Sequence, residues 1–229
     1  MKYPLWRQRL VRSLHLSRAK PESRFIHVAN VDQQGFAQNR TMVFRGFQDE
    51  SLNLLAITDI RSDKVIQWHG HPYAHISWYF AKSREQYRLR CDVVLVTQEN
   101  ANSLANDKLP INKTNSIRMG FSSKGLIEQR DKMWNSLSSA AKSQFTWPSP
   151  KFAPEDNKLS TELADSENAL PSSDCVELPH ENYALVIFIP RYVDYLDLKT
   201  TPQCREISQE IGNSNSQKQA CWQHASVNP

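Results

Sequence analysis

The chain has 229 residues, a formal net charge of +4 and a hydrophobic content of 39%, enough for one sizeable core with polar appendages. Mean hydropathy is −0.60, and no apolar run approaches the roughly 20 residues that a bilayer-spanning helix needs. The mild charge permits anionic ligands without demanding nucleic acid. Cys91, Cys175, Cys204 and Cys221 are scattered and form no CxxC pair, which argues against a zinc site or a disulfide scaffold and suits a reducing, cytoplasmic setting.

The opening MKYPLWRQRLVRSLHLSR is basic but has no apolar core or small-residue cleavage site, so it reads as no secretory signal. Trp6, Leu10, Val11 and Leu14 fall at helical spacing, and the expectation is a docked helix over 5–18 rather than an Arg-rich transit peptide. RFIHVANV (24–31), NRTMVFRGF (39–47) and LNLLAIT (52–58) read as strands joined by the turns DQQG and QDES. A short helix follows, with Ser62 as N-cap, Asp63 in its first turn and Val65, Ile66 and Trp68 facing a core. AHISWYF (74–80) and EQYRLRCDVVLV (85–96) are two more strands. The order β-β-β-α-β-β over 24–97 is that of a small barrel with one helix at its mouth.

Residues 98–124 read as an irregular polar insertion, 125–143 as a helix with Ile127, Met133, Trp134, Leu137 and Ala141 on its apolar stripe, and 151–179 as a polar surface loop. NYALVIFIP (182–190) suits a central strand. RYVDYLDL follows it, and a last hairpin turns at GNSNS within 182–229.

Three windows carry candidate chemistry. In NRTMVFRGF, alternation puts Arg40, Met42 and Phe44 on one side and Thr41, Val43 and Arg45 on the other, unless a bulge intervenes. Each side also holds apolar residues, so one guanidinium is expected at the barrel edge, aimed at an anion; a phosphate suits its fork of donors. Ordinary surface arginines on an edge strand are the plain alternative. In TDIRSDKV (58–65), Thr58, Ser62 and Lys64 meet at a helix start, where backbone N–H groups and an ammonium favour a phosphate; a simple Ser-Asp cap explains it equally. In WYFAKSREQYRLR (78–90), Gln86 offers a donor and an acceptor to a planar heterocycle, beside Arg88 and Arg90 on the same face. A solvated basic strand face is the alternative there. His69, His71 and His75 lie without carboxylate or cysteine neighbours in sequence, so no metal site is expected.

In order and spacing, RTMVFR, TDIRSDK and REQ resemble the segments R-x-V-L-L-K, T-N-x-x-S-R-K and E-R-Q of the pyridoxamine 5'-phosphate oxidase family of FMN-binding split barrels. The resemblance is to its FMN-binding related subfamily in particular. It extends to WYF, the WP after the long helix, the TPQ-R segment and the closing VNP, and so spans most of the chain. It implies a mainly β fold, a barrel with flanking helices forming one FMN-binding split-barrel domain over 1–229. It also implies a homodimer with FMN in the cleft between subunits. By the same resemblance, the FMN site comprises Arg40, Thr41, Met42, Val43, Arg45, Thr58, Ser62, Lys64 and Gln86. Arg40 and Lys64 take the phosphate, Thr58 and Ser62 add donors, and Gln86 reaches the flavin across the dimer. Arg45 and Arg205 are the candidate catalytic cations beside the flavin.

Several departures bear on function. Asp63 stands where the family often has a basic residue, with Arg61 two positions earlier as a candidate compensator. Leu196 stands at the position of a flavin-packing tryptophan. The C-terminal R-x-H pair that grips pyridoxal phosphate has no clean counterpart near Thr201–Arg205, and 125–143 lacks the family's Tyr/Arg/Ser substrate set. The expectation is therefore an FMN-dependent oxidoreductase acting on a small phosphorylated or heterocyclic substrate, with a non-catalytic FMN-binding protein as the alternative. A basic barrel for single-stranded nucleic acid is the least favoured class.

Overall fold

The computed structural model describes residues 3–99, 123–151, 178–211 and 221–229. Most of 98–124 and 151–179, and the GNSNS turn, lie outside these. Helix α1 is Leu5–Leu16, and a 3-10 turn (Pro21–Arg24) leads into β1 (Phe25–Val31), β2 (Ala37–Val43), β3 (Gly46–Phe47) and β4 (Leu54–Asp59). Then come α2 (Asp63–Gly70), β5 (Tyr73–Phe80), β6 (Glu85–Val96), α3 (Ser123–Asn135), α4 (Ser139–Ser143), β7 (Tyr183–Asp197), β8 (Cys204–Ile211) and β9 (Cys221–Val227).

All strand pairs are antiparallel, in the order β2-β1-β5-β6-β7-β4-β3, with β8 on β7 and β9 on β8. The ring closes at NRTMVFRGF. Expected as one strand, it changes partner midway: Phe44 N–H donates to Arg24 O at 2.8 Å and Arg45 N–H to Leu55 O at 2.8 Å. Phe44 and Phe47 both enter the core with ring centroids 4.9 Å apart, although they are three positions apart. Strict alternation forbids that, so the bulge left open by the sequence is present, with Gly46 at φ +139°.

The barrel splits at β7. Its first half pairs with β4 as far as Leu54↔Phe188, and its second half pairs with β8 from Tyr192↔Gln209. Pro190 lies between these two ladders, where the register against β6 shifts at Arg90/Cys91. A residue without an N–H is tolerated at such a bulge, so the two expected segments form one continuous strand. Both faces of ALVIFI are covered: Val186 and Phe188 fill the barrel, while Leu185 and Ile187 pack with Leu126 of α3. This accounts for an unbroken apolar run in place of alternation.

Helix α1 buries Trp6, Leu10 and Ser13, while Val11 turns outward. Ser13 Oγ donates to Glu85 at 2.7 Å and lies 2.9 Å from Tyr87 Oη, so a polar residue completes the stripe. In α2, Val65 and Trp68 are buried as expected, but Ile66 is exposed and Gln67 takes the inward position instead. The expected helix 125–143 is two helices. Ser138 accepts from Ala141 N–H at 3.3 Å and starts α4 afresh.

Candidate functional site

The mouth of the barrel, where β1, β2 and β4 meet α2, gathers the first two windows. Arg40 lies opposite Val28 in the β1–β2 register, on the Met42 and Phe44 side of the strand. Its guanidinium donates to Val28 O at 3.2 Å, to Asn30 Oδ1, and to Gln67 Oε1 at 3.2 Å. Gln67 Oε1 also accepts from Asn30 Nδ2 at 2.9 Å, so one buried amide pair aims the arginine. Burial lowers the Arg40 pKa, with the charge of Asp63 opposing that shift.

Lys64, one turn earlier on α2, donates to Ser62 Oγ at 2.8 Å and to Thr58 Oγ1 at 3.1 Å. Its pKa is lowered first by burial and then by the neighbouring charge of Arg40, with Asp59 and Asp63 acting the other way. Two cations therefore crowd one corner, and among the described residues neither is ion-paired. Ser62 Oγ donates to Asp59 O at 2.7 Å, and Thr58 is buried at the end of β4. A helix start and two desolvated cations, one of them seated on two hydroxyls that give their own protons to Asp59 O, form a donor set with the chemistry of a phosphate site.

Arg61 does not join them. It grips the Asp59 carboxylate at 3.0 and 2.6 Å and donates to Trp147 O at 2.9 Å. The compensating role considered for Arg61 is thus taken up by a structural pair.

Along β2 the candidate residues diverge. Met42 is buried in the core, Thr41 is exposed with its Oγ1 3.3 Å from His27 Nδ1, and Val43 is half-buried. What 41–43 offer a ligand at this site is therefore backbone, along the edge of β2 away from β1, which no other strand pairs among the described residues. Beyond the bulge, Arg45 is half-buried, and burial lowers its pKa. Its Nε is enclosed and has no hydrogen-bond partner among the described residues. An orphaned guanidinium N–H of this kind is costly and suits a ligand acceptor.

Gln86 and Arg205 lie elsewhere, on the outer face of the sheet. Tyr79, Gln86, Leu196 and Arg205 are in register across β5, β6, β7 and β8, which places them on one face. Arg205 is bound to Asp194 at 3.0 and 2.8 Å, and Arg88 reaches the same carboxylate at 2.7 Å. Within one chain, then, Arg40, Thr58, Ser62 and Lys64 converge, while Gln86 and Arg205 share a separate row. Asn30 and Gln67 were missed by the sequence reading. Asn30 gave no signal beyond a polar residue ending a strand, and Gln67 was hidden by its apolar neighbours Ile66 and Trp68.

Comparison with known proteins joins these observations. The family model described as pyridoxamine 5'-phosphate oxidase, FMN-binding domain, matches residues 3–97. A pyridoxamine 5'-phosphate oxidase-related, FMN binding protein from Nostoc punctiforme is 31% identical, with both chains covered in full and a TM-score of 0.76. This chain belongs to the pyridoxamine 5'-phosphate oxidase-related FMN-binding family. A pyridoxine/pyridoxamine 5'-phosphate oxidase 2 from Arabidopsis thaliana is 26% identical, covering 98% of this chain and 96% of its own. PhzG from Burkholderia lata shares the fold at 14% identity and a TM-score of 0.57, with 97% and 90% of the chains covered. The fold is the family's FMN-binding split barrel, and FMN is the cofactor of the matched domain. The Arg40–Lys64 corner and the orphaned Arg45 Nε fit that group, since one matches its phosphate ester and the other an acceptor atom.

Proposed function

We propose that this chain is an FMN-dependent oxidoreductase that works as a homodimer on a small phosphorylated or heterocyclic substrate. The observation that carries the reading is the Arg40–Lys64 pair, two cations held together against mutual repulsion and burial without a carboxylate partner among the described residues. Such an arrangement is stabilised when an anion completes it. Arg40 and Lys64 hold the phosphate of FMN, Thr58 and Ser62 seat the Lys64 ammonium on their hydroxyls, and the backbone of Thr41, Met42 and Val43 lies along the cofactor. Arg45 supplies the cation beside the flavin ring. FMN, once bound, supplies two-electron redox chemistry, while the protein binds, orients and excludes water. Gln86 and the outer row serve the cofactor of the second subunit. Exposed Tyr73 and Tyr79 on the same face of β5 as the Gln86 row are the apolar surface such a dimer would cover.

The relative from Arabidopsis thaliana is named as an oxidase of pyridoxine and pyridoxamine 5'-phosphates, and that class is the first substrate to assay. The test is the visible spectrum of the purified protein followed by turnover of pyridoxamine 5'-phosphate under oxygen. Flavin bands near roughly 370 and 450 nm together with turnover support the reading, and a colourless protein that takes up no added FMN contradicts it.

A second reading, FMN binding without turnover, is favoured by the outer row. Arg205, expected beside the flavin, is occupied by Asp194, and Leu196 stands where the family has a tryptophan. Arg45→Gln separates the two readings: an enzyme keeps its FMN and loses most of its turnover, whereas a carrier shows no turnover in either form.

A further inference from the structure

The phosphate corner contains a carboxylate that works against it. Asp63 occupies the first turn of α2, and its charge acts on both Arg40 and Lys64. Unopposed, it would repel the phosphate that those cations receive, which carries close to two negative charges at neutral pH. Its partner comes from a segment distant in sequence: Lys151 Nζ forms an ion pair with Asp63. The chain leading to Lys151 is tied to the same strand-to-helix step. Arg61 donates to Trp147 O at 2.9 Å and to Phe145 O at 3.4 Å, and Asn182 Nδ2 donates to Phe145 O at 3.0 Å.

We propose that Lys151 is a positioning residue for the cofactor phosphate: it neutralises Asp63, so that the start of α2 meets the anion without a net negative charge. The basic residue that the family often places at this step is thereby replaced by an ion pair assembled from two segments. Arg61 contributes by holding residues 145–147 in place. The inference rests on the assignment of Arg40 and Lys64 to the phosphate. Lys151 has φ +70°, a conformation that non-glycine residues adopt at some cost. Lys151→Arg, which keeps the charge and meets the same backbone cost, is therefore the control for any change at this position.

The experiment is equilibrium titration of the full apoprotein with FMN and with riboflavin, which lacks the phosphate, followed by flavin fluorescence. In Lys151→Gln, FMN affinity is expected to fall about 3-fold, the scale of an exposed ion pair, with riboflavin unchanged and Lys151→Arg restoring the loss. Asp63→Asn alone is expected to tighten FMN. In that background Lys151→Gln should have no further effect, because the carboxylate it acts through is gone. Unchanged FMN affinity in Lys151→Gln, an equal loss for riboflavin, or a loss that persists in the Asp63→Asn background would overturn the role of Lys151. A wild-type protein that binds both flavins equally would overturn the phosphate assignment itself, and this inference with it.

Discussion

Lys64 is the side chain on which the proposed phosphate site can be tested most locally. Its hydrogen bonds go to two hydroxyls, its pKa is lowered by burial and by Arg40, and it is not ion-paired among the described residues. An anion between the two cations would reverse the second effect, so FMN binding should raise the Lys64 pKa and take up protons at alkaline pH. Lys64 must be charged to attract the phosphate. FMN affinity should therefore decline as pH rises through its lowered pKa, earlier than an ordinary lysine at 10.5 would allow. Riboflavin affinity should stay flat over the same range, and parallel titrations check this. That Thr58, Ser62 and Lys64 meet was legible because strand end, cap and helix start follow one another in sequence, whereas Arg40 comes to them from β2 and was grouped with them only through the family resemblance. Asn30, Gln67 and the Lys151–Asp63 pair were not legible, because hydrogen-bond partners contributed by other elements leave no local pattern.

Among the elements, α1 and β6 are joined by one buried carboxylate. Glu85 accepts from Ser13 at 2.7 Å, from Tyr195 at 2.8 Å and from Arg12 at 3.0 Å. Burial alone would raise its pKa, but the donors around it, Ser83 foremost and then Ser13, Tyr195 and Arg12, outweigh that and hold it below the ordinary value of 4.5. Because the folded pKa is the lower one, its contribution is fully present above the unfolded pKa and is lost as pH falls through the folded pKa. Glu85→Gln should cost about 1–3 kcal/mol near neutral pH by leaving donors short of an acceptor. The deficit should shrink in acid, as urea titrations at two pH values would show. On the other side of the barrel, Leu126 of α3 is fully buried against β6 and β7. Leu126→Ala should cost about 2–5 kcal/mol by opening a cavity, measured the same way. Element order over 24–97 was legible from alternation and turns. The bulge at Arg45–Gly46, the fork at Pro190 and the break at Ser136–Ser138 were not, since each depends on which partner strand or helix is adjacent, and that follows only from the closed sheet.

For the whole molecule, the sheet presents two distinct surfaces. One is the barrel mouth, where the cations gather. The other is the outer face of β5–β8, where Gln86 and Leu196 lie in register and Tyr73 and Tyr79 of β5 are 53% and 50% exposed. If the homodimer forms there, replacing Tyr73 and Tyr79 with Glu should give a monomer in sedimentation and weaken FMN retention, because part of each cofactor site would leave with the partner. A dimer that survives both changes would relocate the interface. The central claim concerns the mouth: Arg40 and Lys64 together hold the FMN phosphate. It is tested by comparing flavin absorbance per chain, after exhaustive dialysis, in the wild type and in the folded Arg40→Gln/Lys64→Gln protein. Two charge-assisted contacts are removed, so affinity should fall by about 10²-fold or more and the double variant should emerge colourless. A yellow double variant that keeps its FMN as tightly as the wild type would contradict the account.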